Sequence, residues 1–201
     1  MDKVNFGATK IGTVKILKLK GEKYVPYRAH FIKLETENDF YVLKAMRDNW
    51  GNSLMGPVCD DLEEYGQDLW NDFSIFALSE RQRYRKNAKI DPDKILGATL
   101  FVEYPGCKDN CISVLQTKPE YISHDRISDY KHIGQGIVRS IQKKFHTKAI
   151  IVDSEEDAVD FYIKQGFVQN KASNNPYQLI WEPRKSAFGR FFINLFHNFV
   201  K

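Results

Sequence analysis

The run Lys131-His132-Ile133-Gly134-Gln135-Gly136 has the residue types and the order needed to hold an anion. It follows a β-rich stretch and a loop, and it opens a segment of helical periodicity. Glycines at a helix entrance let a ligand approach the backbone closely. The first N–H groups of the helix and the positive end of its dipole then hold phosphate. Lys131, Arg139, Lys143 and Lys144 would add charge around a polyanion. The run is not the phosphate loop of nucleoside triphosphatases, because no Gly-Lys-Ser/Thr follows, and it lacks the third glycine of the dinucleotide fingerprint. A Gly-x-Gly pair alone also fits a plain helix-entry turn. Further on lies a second constellation, Ala158-Val159-Asp160-Phe161-Tyr162-Ile163-Lys164-Gln165-Gly166-Phe167. A third candidate, Cys107-x-x-x-Cys111, would need two more ligands to hold zinc. His124 and His132 stand at no supporting spacing, so free thiols are expected and no metal.

Several elements must position these residues. Alternation over Thr13–Leu19 and Tyr27–Leu34, with Lys20-Gly21 between, predicts an N-terminal hairpin. Thr36-Glu37-Asn38-Asp39 resembles a capping box before a helix over Phe40–Asn49, which Gly51 and Gly56-Pro57 should break. An acidic helix is expected over Asp60–Trp70 and a strand over Ser74–Leu78. The β-rich runs Ile95–Glu103 and Cys111–Thr117 read as a second hairpin, and residues 118–130 as irregular. Ile137, Val138, Ile141 and Phe145 recur at helical spacing. Ala149–Val152 reads as a strand buried on both faces. Ser154-Glu155-Glu156-Asp157 should cap a helix that stops at Gly166, with short strands at Phe167-Val168 and Gln178–Trp181. The chain is α/β, antiparallel early and βαβ-like late.

Taken together, the 131–136 loop and the 158–167 helix resemble the two signature motifs of the GNAT superfamily of N-acetyltransferases. Those are Arg/Gln-x-x-Gly-x-Gly/Ala for pyrophosphate and a helix Ala-x-x-x-Tyr-x-x-x-Gly-Phe. Order, separation and the intervening strand agree, and Ile112–Thr117 before Pro119 is similar to the family's fourth strand. The likeness covers residues 27–182 and is specific over 111–168. It implies a mixed, centrally splayed sheet flanked by helices, and acetyl-CoA as acyl donor to an amine. The donor would lie where the fourth and fifth strands part, with backbone near Leu115 and Thr117 pairing its pantetheine. Lys131, His132, Ile133, Gly134, Gln135, Gly136 and Ile137 would form the pyrophosphate loop. Tyr162 matches the position that supplies a proton to the departing thiolate.

Four positions depart from the pattern. Lys131 replaces Arg or Gln and keeps the charge. Residues 121–129 are extra. Glu155 stands where Asn often meets the cofactor, and Gln116 where many members place a Glu. The base is therefore open; by position Glu103, near the end of the third strand, is the best candidate, and Gln116 could hold a water. A catalytically silent acyl-CoA-binding or regulatory module on the same fold, and an acetyltransferase acting on aminoacyl-tRNA, stay open beside the enzyme reading. The last is supported only by the basic stretch Arg81–Lys94.

Composition sets outer bounds. The chain has 201 residues with 42% hydrophobic and 28% charged, which suits one globular domain. Without an apolar run of membrane-spanning length or a signal-peptide plan, and with three cysteines, it fits a reducing cytoplasm. The net charge of +4 falls on residues 184–201, so residues 1–183 sum to zero. A neutral body with a basic tail is no nucleic-acid signature, and neither a nucleic acid nor a membrane is the expected partner. Asp60, Asp61, Glu63, Glu64 and Asp68 fall on the segment that borders the acceptor in this family, which implies a cationic acceptor. Residues 1–183 form the acetyltransferase-like domain. Beyond them Phe188, Phe191, Phe192, Leu195, Phe196 and Phe199 make one stripe of an amphipathic helix. That stripe packs on its own domain, on a second copy as a homodimer, or on a membrane.

Overall fold

The computed structural model describes residues 8–34, 39–51, 54–65, 73–82, 89–103, 109–122 and 127–183. Alternating residues on either side of Gly21 pair as the antiparallel strands β1 (Thr9–Lys20) and β2 (Lys23–Leu34). Gly21 has φ +61°, a left-handed conformation that suits the turn. β3 (Phe73–Ser79), β4 (Ile95–Glu103) and β5 (Asp109–Thr117) continue the antiparallel sheet. β6 (Tyr130–Lys131) joins the outer edge of β1. β7 (Ala149–Asp153) lies parallel to β5, followed by β9 (Gln178–Trp181) and β8 (Val168–Gln169). The strand order among the described residues is β6-β1-β2-β3-β4-β5-β7-β9-β8.

Helices cover both faces. α1 (Phe40–Asn49) buries Val42, Leu43 and Met46, and α2 (Met55–Tyr65) buries Met55, Val58, Cys59 and Leu62. These pack with Ile32, Leu34, Ile75, Ala77 and Ala98 into one core. On the opposite face α3 (Ile133–Lys144) buries Ile133, Ile137, Val138 and Ile141, the single apolar stripe of its sequence. With α4 (Val159–Lys164) it closes a second core around Ile16, Phe31, Phe76 and Phe101. Lys143 and Lys144 complement the dipole at the end of α3.

The centre of the sheet comes apart. β4 and β5 stay paired to Gly97↔Thr117, with a register shift that leaves Ser113 as an extra residue on β5. β5 and β7 pair only over Asp109↔Ala149 to Ile112↔Val152. The bulge bends β5 at the point where its second neighbour ends. From Ser113 to Thr117 the outer edge of β5 has no strand beside it among the described residues.

Several local expectations are corrected. Gly56-Pro57 does not break the chain but lies in the first turn of α2, where proline's missing N–H costs nothing. Ser154 caps no helix: its hydroxyl donates to Glu155 O, and α4 begins after a short 3₁₀ turn at Glu156–Ala158. β7 is buried on the Ile150 and Val152 side and only half-buried on the other. β6 emerges from the stretch read as irregular. Thr36 to Asn38 of the capping box, Cys107 and the Phe-rich segment 184–201 lie outside the described residues. No helix among the described residues is long and apolar enough to cross a membrane.

Candidate active site

At the N-terminus of α3, Gly136 N–H donates to His132 O at 2.9 Å and closes the first turn. The N–H groups of Ile133, Gly134 and Gln135 precede that bond and have no intrahelical partner. They face an open cleft of about 860 Å³ lined in part by Leu115, Gln116, Thr117, Lys131, His132, Gly134, Phe161 and Tyr162. His132, just before the helix, has φ +66°, a left-handed conformation costing a non-glycine residue about 1–3 kcal/mol. The cleft thus has dipolar donors at one end, Lys131 and His132 at its rim, and the unpaired edge of β5 along one wall.

The two loop glycines have different surroundings. A Cβ on Gly134 would lie 3.3 Å from Phe161 Cζ and 3.7 Å from Thr117 Oγ1, inside the cleft. A Cβ on Gly136 would lie 2.9 Å from Val14 Cγ1 and 3.3 Å from Ile16 Cγ2. Gly136 therefore lets α3 approach β1; its N–H is already used, and it does not line the cleft. Ile137 is fully buried in the core.

Tyr162 lies on α4 with its ring edge-on to Phe161 at 5.0 Å and to Phe167 at 5.5 Å. It is 6% exposed and borders the cleft. Burial, with a smaller contribution from Cys111, holds its phenol well above the usual tyrosine range. Cys111 itself, on β5, is a free thiol pushed up to about 11, chiefly by burial.

Other expected residues are not brought together with these. Glu103 is exposed at the end of β4, opposite Asn110, whereas the cleft lies at the Gly97 and Thr117 end of that hairpin. Glu155 is exposed and does not line the cleft; its carbonyl accepts from Ala158 N–H in the turn before α4. Gln116 is buried, and its Oε1 accepts from Met55 N–H at 3.2 Å, tying β5 to the start of α2. Among the described lining residues there is no carboxylate.

The acidic face of α2 is also different from its sequence appearance. Arg47 of α1 contacts both Asp60 and Glu63 at 3.0 Å, and Lys44 contacts Glu63 at 2.6 Å. Asp60, Asp61, Glu63 and Glu64 do not line the cleft. Sequence reasoning missed the wall supplied by Tyr121, Ile122, Ser128 and Tyr130, the segment inserted before α3. Tyr130 is buried, donates to Glu80 Oε1 and stacks edge-on against Tyr121 at 5.3 Å. The only available signal was the extra length between Pro119 and the loop.

No family model and no curated protein matches the sequence. Solved structures do. AtaT in complex with acetyl-methionyl-tRNAfMet is 12% identical and matches over 81% of this chain and 99% of its own, with TM-score 0.53. PaiA N-acetyltransferase from Thermoplasma acidophilum, in complex with coenzyme A, is 16% identical over 77% and 98%, with TM-score 0.47. Tetrahymena GCN5 is 11% identical over 74% and 91%, with TM-score 0.49. At such identities the likeness is one of fold, and the match to AtaT carries it: the chain has the GNAT acetyltransferase fold.

Proposed function

We propose that the chain is an acetyl-CoA-dependent N-acetyltransferase that passes an acetyl group to a primary amine by direct attack. One observation carries this reading: β5 parts from β7 directly beside the open N-terminus of α3. A donor laid in that gap meets every group it needs. Its pyrophosphate takes the N–H groups of Ile133, Gly134 and Gln135, with Lys131 adding positive charge at the rim. Its pantetheine amides pair with the free edge of β5 near Leu115 and Thr117. A backbone N–H on that edge polarises the thioester carbonyl.

The amine then attacks the carbonyl carbon, the C–S bond breaks, and the thiolate leaves. Tyr162 stays protonated because burial disfavours its anion. It donates a hydrogen bond to the sulfur as charge develops there, and water restores any proton it gives up. Gly136 and Ile137 hold α3 on the sheet and do not touch the donor. Glu103 and Glu155 lie away from the cleft and are given no role in this reading. A second reading, a silent acyl-CoA-binding module, is favoured by Gln116, which caps α2 where a base would stand.

A transfer screen over polyamines, aminoglycosides, amino acids and peptides separates the two. Release of free CoA thiol in step with amide formation is the expected result. Tight acetyl-CoA binding with no turnover on any amine would leave only the silent module.

A further inference from the structure

Amide formation needs a group that takes a proton from the amine as well as one that protects the departing thiolate. The gap between β5 and β7 has an apex where such a group stands. The last pair of the two strands is Ile112↔Val152, so Ser113 on β5 and Asp153 on β7 are the first residues past it. Ser113 is the extra residue of the β5 bulge, and both it and Asp153 are exposed. The N-terminus of α3 lies at the other, open end of the gap, where a Cβ on Gly134 would sit 3.7 Å from Thr117 Oγ1. From Thr117 back to Ser113 the strand covers about 13 Å. A donor with its pyrophosphate at α3 and its arm along β5 therefore carries its acyl end toward the apex.

The two faces of the sheet differ there. Ile150, Val152 and Leu179 point into the core that also contains Tyr162 of α4. Side chains alternate along a strand, so Asp153 and its β9 partner Gln178 project from the opposite face. Cys111 lies between the two groups. Burial first, and then the charge of Asp153, raises its thiol; burial first, and then Cys111, raises the phenol of Tyr162. The carboxylate and the phenol thus act on one thiol from opposite faces.

Asp153 is held in place. Gln178 Nε2 donates to its Oδ1 at 2.9 Å, and Asn175 Nδ2 donates to the same oxygen at 3.1 Å. Both amides are oriented by further bonds. Gln178 Oε1 accepts from Asn170 Nδ2 at 2.7 Å, and Asn175 Oδ1 accepts from Tyr177 N–H at 2.9 Å. With each amide oxygen engaged, each amide nitrogen is turned to the carboxylate. Ser154 N–H donates to Tyr177 O, which pins the connection between β8 and β9 against the end of β7. Both amides take Oδ1, and among the described residues no donor takes Oδ2 and no cation pairs with Asp153. A carboxylate fixed through one oxygen and open at the other is ready for an N–H donor at the apex.

We propose that Asp153 receives the acceptor amine on the sheet face opposite Tyr162 and takes its proton through Oδ2 as the amide forms. This rests on the acetyltransferase reading. The neutral amine donates an N–H hydrogen bond to Oδ2, which turns its lone pair toward the thioester carbonyl. As the C–N bond forms, the nitrogen gains positive charge and becomes a much stronger acid, and Oδ2 takes one proton from it. The C–S bond breaks, and the thiolate takes one proton from Tyr162. Water carries the proton from Asp153 and restores that of Tyr162, so the products are an N-acetylamine and CoA thiol.

The test uses the full chain with acetyl-CoA and four primary amines: spermidine, kanamycin, leucine amide and a peptide with a free N-terminus. Asp153→Asn keeps an oxygen for Gln178 and Asn175 and removes the charge. Its kcat/KM for the amine should fall roughly 10²–10⁴-fold, while acetyl-CoA affinity and melting temperature stay near those of wild type. In Asp153→Ala, added formate should restore turnover in proportion to its concentration. Formamide, which has the same shape and no charge, should not. A purely structural role for Asp153 cannot produce that difference, and Asp153→Ala serves alone if Asp153→Asn does not fold. The proposal is overturned if folded Asp153→Asn acetylates amines at the wild-type rate, or if formate and formamide act alike. A wild type that binds acetyl-CoA and acetylates none of the four amines would instead remove the acetyltransferase reading, and this step with it.

Discussion

Gly134 faces open cleft and Gly136 faces Val14, although a single residue separates them. Substitutions at the two should therefore fail in different ways. Gly134→Asp puts a carboxylate among the helix N-terminal donors, and acetyl-CoA affinity should fall at least about tenfold, or 1.4 kcal/mol, in a folded protein. Gly136→Ala forces a methyl into the α3–β1 contact and should lower stability by about 1–3 kcal/mol while the folded fraction binds donor normally. Thermal melts alongside calorimetry separate the two; equal loss of donor affinity would return Gly136 to the site. Tyr162→Phe keeps the packing against Phe161 and Phe167, so donor affinity should hold while turnover drops by roughly 10²–10⁴. Near-normal turnover would reduce Tyr162 to a core residue. At this scale the sequence showed the loop and Tyr162 through their spacing. It could not tell the two glycines apart, because the neighbour that decides, Val14, lies far away in the chain.

A side-chain hydrogen bond ties α2 to β5. Gln116 Oε1 accepts from Met55 N–H in the first turn of α2, where backbone donors lack intrahelical acceptors. Gln116→Ala leaves that buried N–H without this acceptor and should cost about 1–3 kcal/mol in urea unfolding. Gln116→Glu keeps an acceptor and adds a charge at the positive helix end, so it should be far better tolerated. Equal destabilisation by both would show that the bond does not matter. Long periodic elements such as α1 and α3 were legible because packing and local pattern agree there. The start of α2 was not, since Gly56-Pro57 reads as a break until its place in a first turn is known. β6 was hidden for another reason: two residues carry no period, and only pairing with β1 defines them.

Across the whole molecule the sheet is the organiser: it parts to make a cleft. The fold also binds stability to alkaline pH. Burial is the first cause that raises the phenols of Tyr121, Tyr130 and Tyr162 above the ordinary value of 10.0, with Glu120 and Glu80 adding to it for the first two. Such groups contribute stability that is complete below their unfolded value and lost as pH rises through their folded ones. Unfolding free energy should therefore decline from about pH 10 upward, and less steeply in Tyr162→Phe; a flat profile in wild type would contradict these burials. The central claim is that the parted strands and the α3 N-terminus form an acetyl-CoA site, and calorimetric titration of wild type and Gly134→Asp with acetyl-CoA tests it most directly. The account predicts one site per chain in wild type and at least about tenfold weaker binding in the folded variant. No heat of binding in wild type, or the same affinity in both proteins, would contradict it.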